Sequence, residues 1–227
     1  MCGRFSLGAS AADLASYFNI QETLEAAARH NVAPTQEVVT VIQPAGATRQ
    51  LSRMRWGLIP AWAKDPTIGG KLINARAETV ATKPAFRRPL RERRCLIPTD
   101  GFYEWEAQGQ RKRPWFIRMR DGRLFAFAGL WDRWSDPAGK AVESCTIITT
   151  TPNDIIRPFH HRMPVMLASN DYDLWLDGGI QDVDRLLPLL APYPPEEMVA
   201  YPVSPLVNSP ANDSPACQSP RGEACDG

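Results

Sequence analysis

Alternation of apolar and polar side chains runs through much of the chain and predicts a sheet-rich fold. Residues 37–42 form the β-branched run EVVTVI, and 51–58 put Met54, Trp56 and Leu58 on one face with Arg53 and Arg55 on the other, the period of a half-buried strand. The same reading predicts strands over 95–98, 102–106, 115–119, 124–130, 144–150 and 199–203. Gln108-Gly109-Gln110 and Asp121-Gly122 mark hairpin turns, so these strands follow one another as an antiparallel meander. In 72–78, alternation collects Asn74, Arg76 and Glu78 on one face. That face is either an exposed strand with an Arg76–Glu78 ion pair or the wall of a site.

Helical signals are shorter. Ser10 and Asp13 form a capping box ahead of Leu14, Tyr17 and Phe18 at helical spacing. Residues 82–94 read as a basic helix or loop with Phe86 exposed among arginines. Thr151-Pro152 is an N-cap with proline at the first helical position. Two more helices are expected over 170–177, closed by Gly178-Gly179, and over 182–190. Residues 30–35 read as a polar turn. From Ser204 the chain is rich in Ser, Pro and Asn and is expected to end in a flexible tail.

Composition narrows this picture. A chain of 227 residues with 44% hydrophobic content can bury a sizeable core. No apolar stretch approaches the roughly 18 residues of a membrane span, so a cytoplasmic protein is expected. The five cysteines have no metal spacing, and Cys217 and Cys225 fall in the expected tail. Neither metal nor cofactor is expected. The near-neutral total hides an asymmetry. Residues 1–163 hold 24 of the 26 Lys and Arg against 15 of the 25 Asp and Glu, a net +9, leaving −8 for 164–227. Arginine dominates the basic part, and its planar fork suits phosphate. Arginines interleaved with Trp and Phe are what a single-stranded nucleic-acid groove requires, and a solvated basic face is the alternative.

Three positions carry candidate chemistry. Cys2 follows the initiator methionine, so methionine removal would leave an α-amine and a thiol on one residue, both partly nucleophilic near neutrality; a second-position Cys that merely reflects a permissive N-terminus is the alternative. Glu104 stands between Tyr103 and Trp105 on a face with Phe102 and Glu106. It is either an exposed strand carboxylate or a desolvated acid/base. His160 and His161 beside Arg162 suit proton transfer by a neutral imidazole; no third ligand cluster suggests a metal. Trp62, after Ile59-Pro60-Ala61, is a packing anchor or a stacking platform.

Seven separated segments, taken together and in order, resemble one family. Met-Cys-Gly-Arg-Phe at 1–5, Asn-Val-Ala-Pro at 31–34, Trp-Gly-Leu-Ile-Pro-Ala-Trp at 56–62, Asn-Ala-Arg-Ala-Glu-Thr at 74–79, Gly-Phe-Tyr-Glu-Trp at 101–105, His-His-Arg-Met-Pro at 160–164 and Pro-Val-Ser-Pro-Leu-Val-Asn at 202–208 are similar to the SOS response-associated peptidase (SRAP) family of abasic-site shielding proteins. The resemblance implies an α+β fold, with a single compact domain over 1–208, a barrel-like antiparallel sheet and short flanking helices. Residues 209–227 lie outside it. It further implies a monomer that needs no cofactor and binds single-stranded DNA carrying abasic sites. Cys2 would capture the ring-opened aldehyde as a thiazolidine, with Asn74 orienting Cys2, Glu104 as acid/base and His160 assisting ring opening and crosslink reversal. Arg4, Arg76 and Arg162 would hold phosphates, and Trp62, Trp105, Pro34 and Phe86 would line the DNA path. One departure is His161, where relatives often carry Asp. The rival reading is an N-terminal-nucleophile hydrolase such as a class II glutaminase, which also begins Met-Cys-Gly and uses the Cys2 thiol.

Overall fold

Residues 2–21, 27–109, 111–136 and 138–221 are described by a computed structural model. In chain order the elements are β1 (Phe5–Leu7), α1 (Ala11–Phe18), β2 (Arg29–Val32), β3 (Glu37–Ile42), β4 (Gln50–Trp56), β5 (Asn74–Arg76), α2 (Arg87–Glu92), β6 (Arg94–Thr99), β7 (Gly101–Gln108), β8 (Arg111–Met119), β9 (Phe125–Ser135), β10 (Ala141–Thr150), β11 (Met163–Pro164), β12 (Met166–Leu167), α3 (Tyr172–Leu176), α4 (Val183–Leu186) and β13 (Met198–Pro202).

The β-branched run of β3 pairs with β4 in a regular hairpin, Glu37 opposite Arg55 and Ile42 opposite Gln50. On its other edge β3 meets β6, which pairs along its length with β9, and β9 pairs with β10. The ring closes where β10 runs parallel to β4, Ser144 opposite Arg55 and Cys145 opposite Trp56. A five-stranded barrel results, so the expected α+β fold around a barrel-like sheet is found. The purely antiparallel meander is not. Besides closing on β4, β10 takes β5 in parallel, Ile147 opposite Asn74 and Thr149 opposite Arg76. Parallel neighbours need a crossover connection, and the chain between β5 and β10, through α2 and β6–β9, supplies it; the link through 57–73 carries the chain from β4 to β5 along the same edge of β10.

Alternation on the barrel strands serves two cores. Val41, Leu96, Ala128, Leu130 and Ile148 pack with Leu14 and Phe18 of α1, Leu90 of α2 and Trp175 of α3. Met54, Trp56, Ile97, Phe127, Cys145 and Ile147 pack with Phe5, Phe102 and Ile117 of a second sheet, ordered β13-β8-β7-β1-β2. The other face of that sheet carries Tyr103 and Phe116, covered by Val203, Val207 and Cys217. Gly101 marks the tightest approach here. A Cβ on it would sit 2.2 Å from Phe116 Cζ and 2.8 Å from the Ile117 carbonyl oxygen. Gly101→Ala is therefore expected to cost about 3 kcal/mol by overpacking, a melting-temperature loss of roughly 5–10 °C in thermal unfolding.

Several local expectations change. The Ser10 capping box is present on α1. Phe86 is buried, 7% exposed, in the helix-packed core, because Phe86, Pro89 and Leu90 share the inner side of α2 while Arg87, Arg88 and Arg91 face water. It is not a DNA-facing residue. The helix expected after Thr151-Pro152 is a pair of hydrogen-bonded turns through 153–160: Asn153 Oδ1 accepts from Ile156 N, and Pro158 lacks the N–H a longer helix would use. Residues 30–32 of the expected polar turn belong to β2. Residues 209–221, expected as a flexible tail, are packed. Asp213 pairs with Arg29 and accepts from the His30 and Asn31 amides, Cys217 is buried, and Arg221 N bonds Pro202 O. Cys225 and Gln110 lie outside the described residues. No helix among the described residues is long and apolar enough to cross a membrane.

Candidate active site

The chain enters β1 beside β7. Phe5 stands opposite Phe102 and Tyr103 N donates to Arg4 O at 3.0 Å, so this antiparallel register brings Glu104 alongside the residues just after Cys2. Cys2 is fully buried. From β5, Asn74 Nδ2 donates to the Cys2 carbonyl oxygen at 2.9 Å, while Asn74 Oδ1 is buried without a hydrogen-bond partner among the described residues. Burial, and then the neighbouring Glu104 carboxylate, push the Cys2 thiol well above its ordinary value; the Arg4 backbone N–H works the other way. Glu104 is itself 4% exposed, and burial raises its carboxyl to about 7, with Lys112 opposing. Of its two readings from sequence, the desolvated acid/base describes its surroundings.

A loop brings the imidazole. Trp115 of β8 lies opposite Glu104, and Phe159 packs on Trp115 with ring centroids 5.0 Å apart. His160 follows. Its Nδ1 accepts from Arg162 N at 2.9 Å, and its ring stacks on His161 at 4.3 Å. Burial, with His161 and Arg162 adding to it, lowers His160 to about 4, so the ring is neutral at pH 7. With Nδ1 accepting, the ring proton sits on Nε2. Arg162 is 8% exposed and its fork is engaged: Nη1 and Nη2 donate to the Glu78 oxygens at 2.5 and 2.9 Å, and Nη2 to Thr149 O. Glu78 thus pairs with Arg162, not with Arg76.

The remaining DNA-facing candidates separate into groups. Arg76, at the end of β5, is exposed and has no ion-pair partner among the described residues. Trp62 is 60% exposed, which favours a stacking platform over a packing anchor. Pro34 is half-buried beside Thr35, a β-branched residue held at φ 73° while its N–H donates to Trp56 O at 2.8 Å. Such a backbone costs of order 1–3 kcal/mol and is kept where neighbours impose it. Arg4 and Trp105 lie together on the face of the second sheet turned away from Glu104. Arg4 stands 5.7 Å over the Trp105 ring and donates to Asn31 Oδ1 and Val207 O, and Trp105 Nε1 donates to Asn208 Oδ1. Among the described residues no group of three or more His, Cys, Asp or Glu could hold a metal ion. Glu78 stood on the face read from sequence as the possible wall of a site, whereas Trp115 and Asn31 escaped that reading as site-building residues. Only its place inside a quoted segment could have pointed to Asn31.

The chain is similar to several known proteins. A family model described as SOS response associated peptidase (SRAP) matches residues 1–210. The chain is 48% identical over 219 residues to the abasic site processing protein YoqW of Bacillus subtilis, covering 95% of this chain and 97% of that one. It is 35% identical over 196 residues to the abasic site processing protein HMCES of Gallus gallus, covering 76% of this chain and 58% of that one. A crystal structure of a protein from Bacteroides thetaiotaomicron superposes with a TM-score of 0.88 at 28% identity, over 97% of this chain and all of the other. One from Bordetella bronchiseptica gives 0.77 at 27% identity, over 89% and 100%.

Proposed function

Because the chain belongs to the SOS response-associated peptidase family, we propose that it captures abasic sites in single-stranded DNA as a covalent thiazolidine on Cys2. The observation that supports this reading best is Cys2, held through its carbonyl by Asn74, with the buried Glu104 carboxyl beside it. Removal of Met1 gives Cys2 a free α-amine. The Nε2–H of neutral His160 donates a hydrogen bond to the sugar ring oxygen as the C1′–O bond breaks, and the C1′ hydroxyl proton passes through water to that oxygen, leaving an aldehyde and a free hydroxyl. The α-amine adds to C1′. Glu104 in its acid form protonates the departing hydroxyl, and water leaves an imine. That imine keeps its nitrogen proton as an iminium, and the Glu104 carboxylate so formed takes the thiol proton as Sγ adds to C1′, closing the ring on a neutral nitrogen. One water is lost overall. A thiol pushed up by burial is a poor free-standing nucleophile. The amine therefore acts first, and Glu104, near 7, serves both proton transfers. Reversal runs the same steps backward, again through Glu104 and His160. All four groups come from one chain, so the reacting unit is a monomer acting wherever single-stranded DNA is exposed.

The test is to mix purified protein with single-stranded DNA containing one abasic site and look for a heat-stable shifted band on a denaturing gel, with mass spectrometry of the N-terminus. The band should form, and the protein should have lost Met1. A protein lacking Met1 that gives no band, or that instead releases ammonia from glutamine, rules the proposal out. The exposed Trp62 serves the same substrate by stacking. Trp62→Ala should weaken binding to an undamaged oligonucleotide by about 1–3 kcal/mol, measured by fluorescence anisotropy, and leave the adduct rate at saturating DNA unchanged.

A further inference from the structure

Arg162 was expected at phosphate, yet its fork is turned inward. Nη1 and Nη2 grip both oxygens of Glu78, Nη2 also reaches the Thr149 carbonyl, and its backbone N–H is the donor that holds His160 Nδ1. Glu78 lies two residues beyond β5, the strand that delivers Asn74, and Thr149 lies on β10 opposite Arg76 of β5. One carboxylate therefore ties the histidine loop to the strand that holds Cys2. The contact is bidentate and charge-assisted, the most directional kind available to a side-chain pair. The Glu78 carboxyl is held below its ordinary range by Arg162, in keeping with a permanently ionised partner. Among the described residues no second ion pair holds the Phe159–Arg162 segment: His161 is exposed, and Phe159 is held by ring contact with Trp115.

Resting on the function proposed above, we propose that Glu78 is a positioning residue for that reaction, fixing Arg162 so that its backbone N–H keeps His160 in the tautomer with the proton on Nε2. It touches neither substrate nor Cys2. Its effect falls on the step that uses the His160 proton, the opening of the sugar ring, and not on the steps that follow. A carboxylate holding an imidazole tautomer at one remove is worth about ten- to hundredfold in the metal sites where such partners have been measured.

The experiment compares wild type with Glu78→Gln and Arg162→Lys on two oligonucleotides, one with a natural abasic site and one with an acyclic aldehyde in the same position, which needs no ring opening. Both variants should form adduct with the abasic strand about tenfold more slowly at saturating DNA. They should match wild type within twofold on the acyclic aldehyde and in affinity for undamaged DNA. Nitrogen-15 spectra of His160 without DNA should show the Nε2–H tautomer in wild type and a mixture in the variants. A parallel loss on both substrates would make Glu78 merely structural, and a loss of affinity at unchanged rate would return Arg162 to a phosphate role; either overturns the proposal. An unchanged His160 tautomer overturns it too. Should Glu78→Gln fail to fold, Arg162→Lys, which keeps the charge but not the fork, decides. If wild type reacts with neither strand, the crosslinking function itself has failed, and the tautomer measurement still judges the clamp.

Discussion

Cys2→Ala is expected to abolish the heat-stable adduct while preserving a reversible bond to the same DNA. Alanine at position 2 still permits methionine removal, so the variant keeps its α-amine and the Asn74 contact, which is made to the backbone carbonyl and not to the side chain. The amine still condenses with the aldehyde. Without Sγ the ring cannot close, and the imine hydrolyses on denaturation. Borohydride added before denaturation should reduce it and recover a stable band. The loss of one sulfur atom from a fully buried position is a small cavity, so folding should suffer by only about 1 kcal/mol. An undiminished heat-stable band from Cys2→Ala would exclude the thiazolidine. Absence of the borohydride-trapped band would exclude the amine as first nucleophile. Cys2 is thereby tested as two nucleophiles separately.

Glu104→Gln should reduce the adduct rate by about 10²–10³-fold at pH 7, as loss of a positioned acid/base generally does. Its pH profile is equally diagnostic. Water loss needs the acid and thiol addition needs the carboxylate, so the wild-type rate should peak close to 7, where the carboxyl titrates, and the Gln variant should lose that peak. The same group makes stability depend on pH. In the fold the carboxyl holds its proton up to about 7, against 4.5 for its ordinary value. Between those values the folded state binds more protons than the unfolded one, so stability falls as pH rises. The group's contribution is complete below about 4.5 and lost above about 7, a change of about 3 kcal/mol for so buried a carboxyl. Glu104→Gln should flatten this slope and be relatively more stable at pH 8 than at pH 5. Melting temperatures of both proteins at the two pH values check it; parallel behaviour would mean that Glu104 is already ionised in the fold.

How far the sequence could be read follows the range of the interactions involved. Strands such as β3 and β4 were legible because burial of one face forces a period of two on neighbouring residues. Asn74 and Glu104 were legible as oddities, polar groups where that period demanded something else. Phe86 misled because its flanking arginines say nothing about which side of a six-residue helix faces inward. The parallel closure of β10 on β4 left no local trace, since pairing partners about 90 residues apart impose no pattern on either strand. The Glu78–Arg162 pair is of the same kind, its members 84 positions apart. Asn31 is the extreme case. Its side-chain amide donates to three backbone carbonyls, Val207, Ser209 and Asn212, and a carbonyl acceptor leaves no mark on side-chain identity.

Those last contacts also bear on when the protein becomes competent. Arg4 and Asn31 are made early, but Val207, Ser209, Asn212 and Asp213, which satisfy them, follow 176 to 203 residues later. Until then a cation and an amide adjoining the nucleophile's strand lack their acceptors, and buried polar groups without partners are costly. The segment that carries Cys2 is thus made before the residues that set it in place, and a nascent chain that has not reached them lacks the finished arrangement.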